Sequence, residues 1–124
     1  MRIGSIKETI QFEKRVAITP EITKKYISLG LEVFLVENYA LHLGYSNDQY
    51  KKSGANIIKD EKELINSCDI IVQLNLPTED KISLLKEKKT LIGILNPYEN
   101  QNKIDNLSKK KINVFSLELL PRIT

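Results

Sequence analysis

Short runs of apolar residues alternate with longer amphipathic stretches along the chain. Runs of this length and β-branched content are typical of strands. Four of them, nearly continuous in apolar residues, indicate strands buried on both faces of a sheet, at 31–36, 68–74, 90–95 and 112–116. Two shorter runs, at 1–5 and 55–58, are predicted to be edge strands.

Helices are predicted between the strands, because a capping residue precedes each stretch of helical apolar spacing. The clearest begins at Pro20, a favoured first position, with Thr19 as its cap and Gly30 at its end. Capping-box patterns open two more helices after Ser46 and Asp60. The last two are predicted to open at Thr78 and to span 99–110.

Strands that alternate with helices require crossover connections, which produce a mostly parallel sheet with helices on both faces. We therefore predict an α/β fold of three layers, flavodoxin-like or Rossmann-like, in a single domain covering 1–124. Ligands bind outside the carboxyl ends of the strands in such sheets. The segments of interest are therefore 7–19, 74–77, 96–99 and 117–124.

Charge and cysteine content exclude several classes of protein. The net charge is +3, and the longest basic run, 109–111, is interpreted as the solvated end of a helix. Nucleic-acid binding is not expected, because no basic stripe with interleaved aromatic residues occurs. The single cysteine, Cys68, excludes an intrachain disulfide and a four-cysteine metal site, and its apolar neighbours predict a buried, inert thiol.

Membrane insertion and secretion are also not expected. No apolar stretch approaches the roughly 18 residues that span a bilayer, and the amino terminus does not resemble a signal peptide. The sequence therefore predicts a cytoplasmic protein.

Several polar residues follow the predicted strands on the ligand side of the sheet. Arg15 is suited to bind a carboxylate or phosphate, although composition alone favours a surface ion pair with Glu8 or Glu13. Gln73 and Asn75 alternate at the end of one strand, so their amides point the same way. Amides do not transfer protons near neutral pH, so this pair suits the positioning of a ligand or a loop.

The remaining candidates are weaker when each is taken alone. Asn96 precedes a proline and suits a turn, and Arg122 lies beyond the last predicted strand. His42, the only histidine in the sequence, has no companion at metal-ligand spacing, so no metal site is expected. Neither a glycine-rich phosphate loop nor a nucleophile elbow occurs, so no catalytic residues are predicted.

Taken together, these segments resemble the amino-terminal domain shared by proton-translocating nicotinamide nucleotide transhydrogenases and alanine dehydrogenases. The resemblance covers the whole chain in order and is carried by 15–20, 73–77, 95–97 and 121–124. The Arg-Val-Ala-x-Thr-Pro run at 15–20 is specific to this pair of families. The Pro-Arg-Ile-Thr run at 121–124 points to the transhydrogenase alpha subunit.

Asn75 and Asn96 distinguish the two branches of this family. Alanine dehydrogenases have a lysine and a histidine at these positions, which bind and protonate the keto acid. An amide cannot supply general acid–base chemistry, so the resemblance favours a transhydrogenase, in which hydride passes between two nicotinamides. An alanine dehydrogenase-like amino-acid dehydrogenase is the first alternative. A standalone, non-catalytic α/β interaction domain is the second.

The resemblance also implies site residues and cofactors. Arg122 matches the arginine that contacts the nicotinamide end of bound NAD(H) in transhydrogenases. Arg15 matches the position that holds a carboxylate in the dehydrogenases, and with Asn75 and Asn96 it is expected to order the cleft. NADP(H) is expected on a partner subunit, and no metal is implied.

A truncated domain and several partners are implied as well. The NAD-binding Rossmann domain of the same subunit is expected to lie outside this chain, which we expect to be inactive alone. In the family, a final helix returns from that domain and covers one face of the sheet. A homodimer, an NADP-binding subunit and membrane subunits are expected in the complete enzyme. These partner subunits would hold the protein at the inner face of the bacterial plasma membrane.

Two departures from the family pattern fall near the predicted cleft. Gln73 stands where the family has a lysine, and Ser5-Ile6 stands where it has Ile-Pro. Both are expected to alter the local loop geometry.

Overall fold

Six short strands pair side by side into one sheet in the computed structural model, which describes residues 1–8, 16–75, 77, 79–93 and 101–116. Every strand pair in these residues is parallel. The strands are β1 (Arg2–Ser5), β2 (Glu32–Val36), β3 (Asn56–Ile58), β4 (Ile70–Gln73), β5 (Thr90–Gly93) and β6 (Asn113–Ser116).

Five α-helices alternate with these strands, so the predicted α/β fold is confirmed. They are α1 (Pro20–Ser28), α2 (Asn47–Ser53), α3 (Glu61–Ser67), α4 (Glu79–Ile82) and α5 (Gln101–Lys109). The predicted caps account for the first three: the side chains of Thr19, Ser46 and Asp60 each accept a backbone N–H of the helix that follows. The residues predicted to open the last two helices, Thr78 and Glu99, lie outside the described residues.

The strand order is β3-β2-β1-β4-β5-β6. The chain therefore builds the sheet outward from β1 in one direction, then returns and builds it in the other. This reversal puts a crevice between the carboxyl ends of β1 and β4, which is where α/β sheets of this order bind ligands.

The prediction that 1–5 forms an edge strand is wrong, because β1 lies at the centre of the sheet. Ile3 is in register with Val33 on one side and with Ile70 on the other. The strand is short, but Gly4 allows α3 to pack closely against it: a Cβ on Gly4 would lie 2.5 Å from Cys68 Sγ. The other predicted edge strand, β3, does lie at an edge.

Right-handed crossovers place α1 and α2 on one face of the sheet and the later helices on the other. On the α1–α2 face, Val33 and Leu35 of β2 have no solvent exposure. In the same layer of side chains, Ile92 of β5 is only half-buried and Phe115 of β6 is 51% exposed. This face is therefore well covered over β2 and open over β6.

Two further predictions concern single groups. Cys68 is completely buried, so its predicted burial is confirmed, and burial raises the pKa of its thiol to about 12. The lysine run at 109–111 is exposed at the end of α5, as predicted. Within the described residues, no helix has the length and apolar character needed to cross a membrane.

Candidate functional site at the carboxyl edge of the sheet

The side chain of Gln73 extends the pairing of β1 and β4 beyond the strands themselves. Its Oε1 accepts the Ile6 N–H at 2.8 Å, and its Nε2 donates to the Ile6 carbonyl at 3.1 Å. The amide therefore binds the backbone of Ile6 in the way that a peptide group of a neighbouring strand would. Gln73 is only 2% exposed, so these bonds satisfy backbone groups that water does not reach.

A chain of hydroxyl groups continues from this point. Ser5 Oγ lies 2.6 Å from the Val72 carbonyl and 2.8 Å from both Gln73 Oε1 and Tyr39 Oη. Because a serine has one hydroxyl proton, it donates to one of the first two acceptors and can accept from Tyr39. The chain links the ends of β1 and β4 to the segment that follows β2.

Tyr39 and Tyr50 connect this network to the start of α1. The Ile18 N–H donates to Tyr39 Oη at 3.3 Å, and Tyr50 Oη donates to the Ile18 carbonyl at 2.9 Å. Burial raises the pKa of Tyr39 to about 12, although its hydrogen bond with Ser5 lowers it in part. Burial, with smaller contributions from Tyr39 and Tyr45, also raises the pKa of Tyr50. Both phenols keep their protons near neutral pH and act as structural links.

Glu8 fixes the segment that follows β4. One carboxylate oxygen accepts the Leu74 N–H at 2.6 Å and Gln73 Nε2 at 3.3 Å, and the other accepts the Asn75 N–H at 3.3 Å. A carboxylate that accepts backbone N–H groups forms charge-assisted hydrogen bonds, which are stronger than neutral ones. Glu8 therefore holds the backbone of Asn75 against the end of β1.

A cavity of about 440 Å³ opens beside this network. It lies between the segments that follow β1 and β2, at the edge where the sequence predicts a ligand. Its volume suits a small molecule. The lining residues are Lys7, Glu8, Asn38, Tyr39, Leu41 and His42.

The predicted site residues differ in what the structure says of them. Asn75 lies at the crevice, half-buried, with its backbone held by Glu8. Arg15, Asn96 and Arg122 lie outside the described residues, so their roles stay predictions. Among the residues that are described, no group of three or more histidine, cysteine, aspartate or glutamate side chains could hold a metal ion.

Sequence reasoning missed the network around Gln73. It suggested that the amides of Gln73 and Asn75 position a ligand or a loop, and for Gln73 the partner is a loop, because it binds the backbone of Ile6. The strand ends at Gln73, so Asn75 is not part of its alternation. The roles of Ser5 and Tyr39 had no local signal, since their partners lie at least 21 residues away in sequence.

Comparison with known proteins identifies the family. Residues 4–124 match the family model for the amino-terminal domain of alanine dehydrogenase and PNT, the pyridine nucleotide transhydrogenase. The chain belongs to this alanine dehydrogenase/PNT family. The resemblance inferred from the sequence is therefore confirmed over nearly the whole chain.

Individual members of the family show both branches. The first part of NAD(P) transhydrogenase subunit alpha from Rickettsia prowazekii is 34% identical, over all of this chain and 33% of the relative. Alanine dehydrogenase 1 of Staphylococcus aureus is 28% identical, over 97% of this chain and 32% of the relative. The crystal structure of a transhydrogenase from Sinorhizobium meliloti superposes with a TM-score of 0.92 at 29% identity, over all of this chain and 37% of that one.

This chain thus spans about a third of the length of the curated relatives.

The two departures from the family pattern described above contact each other. Gln73 Oε1 accepts from the backbone N–H of Ile6 and lies within hydrogen-bond distance of the Ser5 hydroxyl. A proline at position 6 would have no N–H to donate, and an isoleucine at position 5 would have no hydroxyl. The departures therefore form one local unit.

The residues present do not form a dinucleotide cradle of their own. The sequence has five glycines and no Gly-x-Gly-x-x-Gly turn, so the close backbone approach that a pyrophosphate needs is absent from it. The cavity at the carboxyl edge has an exposed lysine and histidine on its rim, and the helix that begins among its lining residues is a single 3-10 turn, Leu41–Leu43.

Proposed function

We propose that the chain is the amino-terminal part of the NAD(H)-binding alpha subunit of an NAD(P) transhydrogenase, which transfers hydride from NADH to NADP. The observation that carries the proposal is Asn75, an amide whose backbone Glu8 holds at the crevice between β1 and β4. An amide suits the ordering of a cleft and cannot protonate a keto acid. The similarity to the Rickettsia prowazekii subunit supports the same assignment.

In this proposal the domain acts by positioning. The cofactors carry the hydride chemistry, and the protein supplies binding and orientation. Arg122 contacts the nicotinamide end of NAD(H), while Arg15, Asn75 and Asn96 order the cleft. The network of Gln73, Ser5 and Tyr39 keeps the floor of that cleft fixed.

The proposal extends to the rest of the enzyme. A Rossmann domain of the same subunit would hold most of the NAD(H), since the curated relatives are about three times as long as this chain. A second copy of the subunit, an NADP-binding subunit and membrane subunits that move protons would complete the assembly. The assembly would place this domain at the inner face of the bacterial plasma membrane.

The decisive experiment is an assay of the full-length subunit assembled with its partner subunits. We expect NADH to reduce an NADP analogue, with no turnover of pyruvate and ammonia in the presence of NADH. Rapid production of alanine would instead establish the alternative, an amino-acid dehydrogenase. Failure of both assays in a folded assembly that binds neither cofactor would favour the non-catalytic interaction domain.

The role of Arg122 can be tested in the same assembly. We expect Arg122→Ala to raise the KM for NADH by about tenfold, since a hydrogen bond to a charged group contributes roughly 1.5–3 kcal/mol. Arg2→Ala is the matched control, because Arg2 is half exposed and its guanidinium contacts Glu32 and the Phe34 ring, away from the carboxyl edge of the sheet. Equal KM values for the two variants would exclude a cofactor contact for Arg122.

The isolated chain provides a second test. Titration calorimetry with NAD is expected to detect weak binding at most, because this sequence has no glycine-rich cradle. Tight binding of NAD by the chain alone would contradict the proposal that a separate Rossmann domain holds most of the cofactor.

A further inference from the structure

Positive charge is concentrated in two segments of the chain. Segments 81–89 and 101–111 contain eight lysines and two acidic residues, a net charge of +6. The whole chain carries +3, so the remaining residues together carry −3. The two segments are separate in sequence, and the fold decides whether their charges act together.

The parallel pairing of β5 and β6 brings the two segments side by side. The Lys88 N–H donates to the Lys111 carbonyl at 3.0 Å, and the Asn113 N–H donates to the Lys89 carbonyl at 2.9 Å. Lys88 and Lys111 both have left-handed backbone conformations, with φ of 72° and 62°, in the turns that precede these strands. Two lysine-bearing turns therefore meet at the amino edge of the sheet, opposite the candidate site.

A groove of about 400 Å³ lies between α4 and α5, close to these turns. Its apolar base is Ile82, which is only 7% exposed. Lys103 and Lys109 are separated by about 9 Å along the axis of α5, from the rise of 1.5 Å per residue. The groove is lined by Ile82, Ser83, Lys103, Asn106, Lys109 and Lys110.

The lysines of the groove have no acidic partner in the described part of the chain. No ion pair there involves Lys103, Lys109 or Lys110. The neighbouring Lys111 pairs with Glu87 at 3.8 Å, but both side chains are more than half exposed, so the pair is weak. Like charges held close together repel one another, and an anionic partner removes this repulsion.

We propose that this groove docks an acidic segment of a partner protein, with carboxylates on the lysines and one apolar side chain on Ile82. A nucleic acid fits less well, because no aromatic residue lines the groove for stacking. A bilayer also fits less well, because the apolar residue is recessed and does not project. Docking here leaves the carboxyl edge of the sheet accessible.

The probe for this proposal is a labelled amphipathic peptide of glutamate and leucine, compared with a glutamate–serine peptide of equal charge. Binding to the full chain is measured by fluorescence anisotropy at low salt. We expect Lys103→Glu/Lys109→Glu/Lys110→Glu to weaken binding of the leucine peptide by at least about tenfold, a loss of roughly 1.4 kcal/mol spread over three charges. The control Lys24→Glu/Lys51→Glu/Lys52→Glu changes the net charge equally at exposed positions of α1 and α2.

A variant without a charge change tests the apolar base. Ser83 is exposed at the rim of the groove. A phenylalanine there, in Ser83→Phe, is expected to fill the groove and weaken binding of the leucine peptide. The unfolding temperature should not fall. Equal weakening by both triple variants would overturn the proposal, because net charge alone would then explain binding. Equal affinity for the serine peptide would overturn it as well. Tighter binding of phosphatidylglycerol vesicles or of polyuridylate RNA would assign the groove to another class of partner.

Discussion

The two halves of the sheet differ in how they are covered. Over β1, β2 and β3, helices pack on both faces, and Leu35 has no exposure to solvent. Over β4, β5 and β6, the same layer of side chains leaves Ile92 half-buried and Phe115 51% exposed. The first half therefore contributes more of the stability of the domain, and the second half has surface available for contacts.

Polar residues follow the same division. In the first half, Ser5 and Tyr39 bond inward and fix the carboxyl edge of the sheet. In the second half, Lys103, Lys109 and Lys110 face a groove at the surface. The fixed geometry of the candidate site is therefore built where the two halves meet, with Gln73 at the end of β4 bonded to Ser5 and Ile6. The outer part of the second half is instead suited to binding partners.

Truncation of apolar residues in the two halves should give the largest difference. We expect Leu35→Ala to lower the free energy of unfolding by about 3 kcal/mol, because a fully buried leucine leaves a cavity. Phe115→Ala lies in the same layer of side chains and should cost under about 1 kcal/mol, because half of the ring is already in water. Urea denaturation of both variants measures the difference.

Equal costs for these two substitutions would contradict the comparison. They would mean that Phe115 is buried in solution by a contact that the chain makes with itself or with a second copy. Repeating the measurement over a range of protein concentrations separates these two causes, because only self-association depends on concentration.

Removal of the Gln73 amide should have an intermediate effect. We expect Gln73→Leu to cost about 2 kcal/mol, because it leaves the buried N–H and carbonyl of Ile6 without their partners. Gln101→Leu is the control, since Gln101 is exposed and its bond within the described residues is to Asp105 on its own helix. A cost for Gln73→Leu within 0.5 kcal/mol of the control, roughly the scatter of surface substitutions, would show that water replaces the amide at Ile6.

Alkaline pH should produce the smallest effect, through Tyr39. Its pKa is raised to about 12 in the folded protein, from 10.0. A raised pKa means that the native state holds the proton more tightly, so this stabilisation is complete below pH 10 and is lost as the pH rises through 12. At pH 11 we expect Tyr39 to account for about 1 kcal/mol of the loss relative to pH 8.

The measurement is urea denaturation at both pH values. Tyr39→Phe should lose less stability between pH 8 and pH 11 than the unmodified chain does, even though it starts from a lower value because its bonds to Ser5 and Ile18 are gone. An unchanged pH dependence in Tyr39→Phe would mean that Tyr39 is accessible to water in solution.

Local chemistry explains which features the sequence predicted well. The start and end of α1 follow from Thr19, Pro20 and Gly30, whose effects extend over one helical turn. The position of β1 was mispredicted, because strand order depends on partners far along the chain and not on the length of the strand. Ile3 pairs with Ile70, and nothing within 1–5 identifies that partner.

The candidate site shows the same limit. Its location followed from the general behaviour of α/β sheets, and Asn75 was predicted to lie there. The hydrogen bonds between the Gln73 amide and the backbone of Ile6 were not predicted, because the two residues are 67 positions apart in sequence. The lysine groove was missed for a related reason: 81–89 and 101–111 look like ordinary solvated runs until β5 and β6 pair.

The central place of β1 has a consequence for synthesis on the ribosome. β1 is made before the other five strands and can pair with β2 early, but its second partner, β4, begins at Ile70. At roughly 5–20 residues per second, the delay is ~3–13 s. During that time one edge of β1 has no strand beside it, and unpaired edges are sites of aggregation. The nascent chain should therefore be most sensitive to chaperone depletion while residues 6–70 emerge.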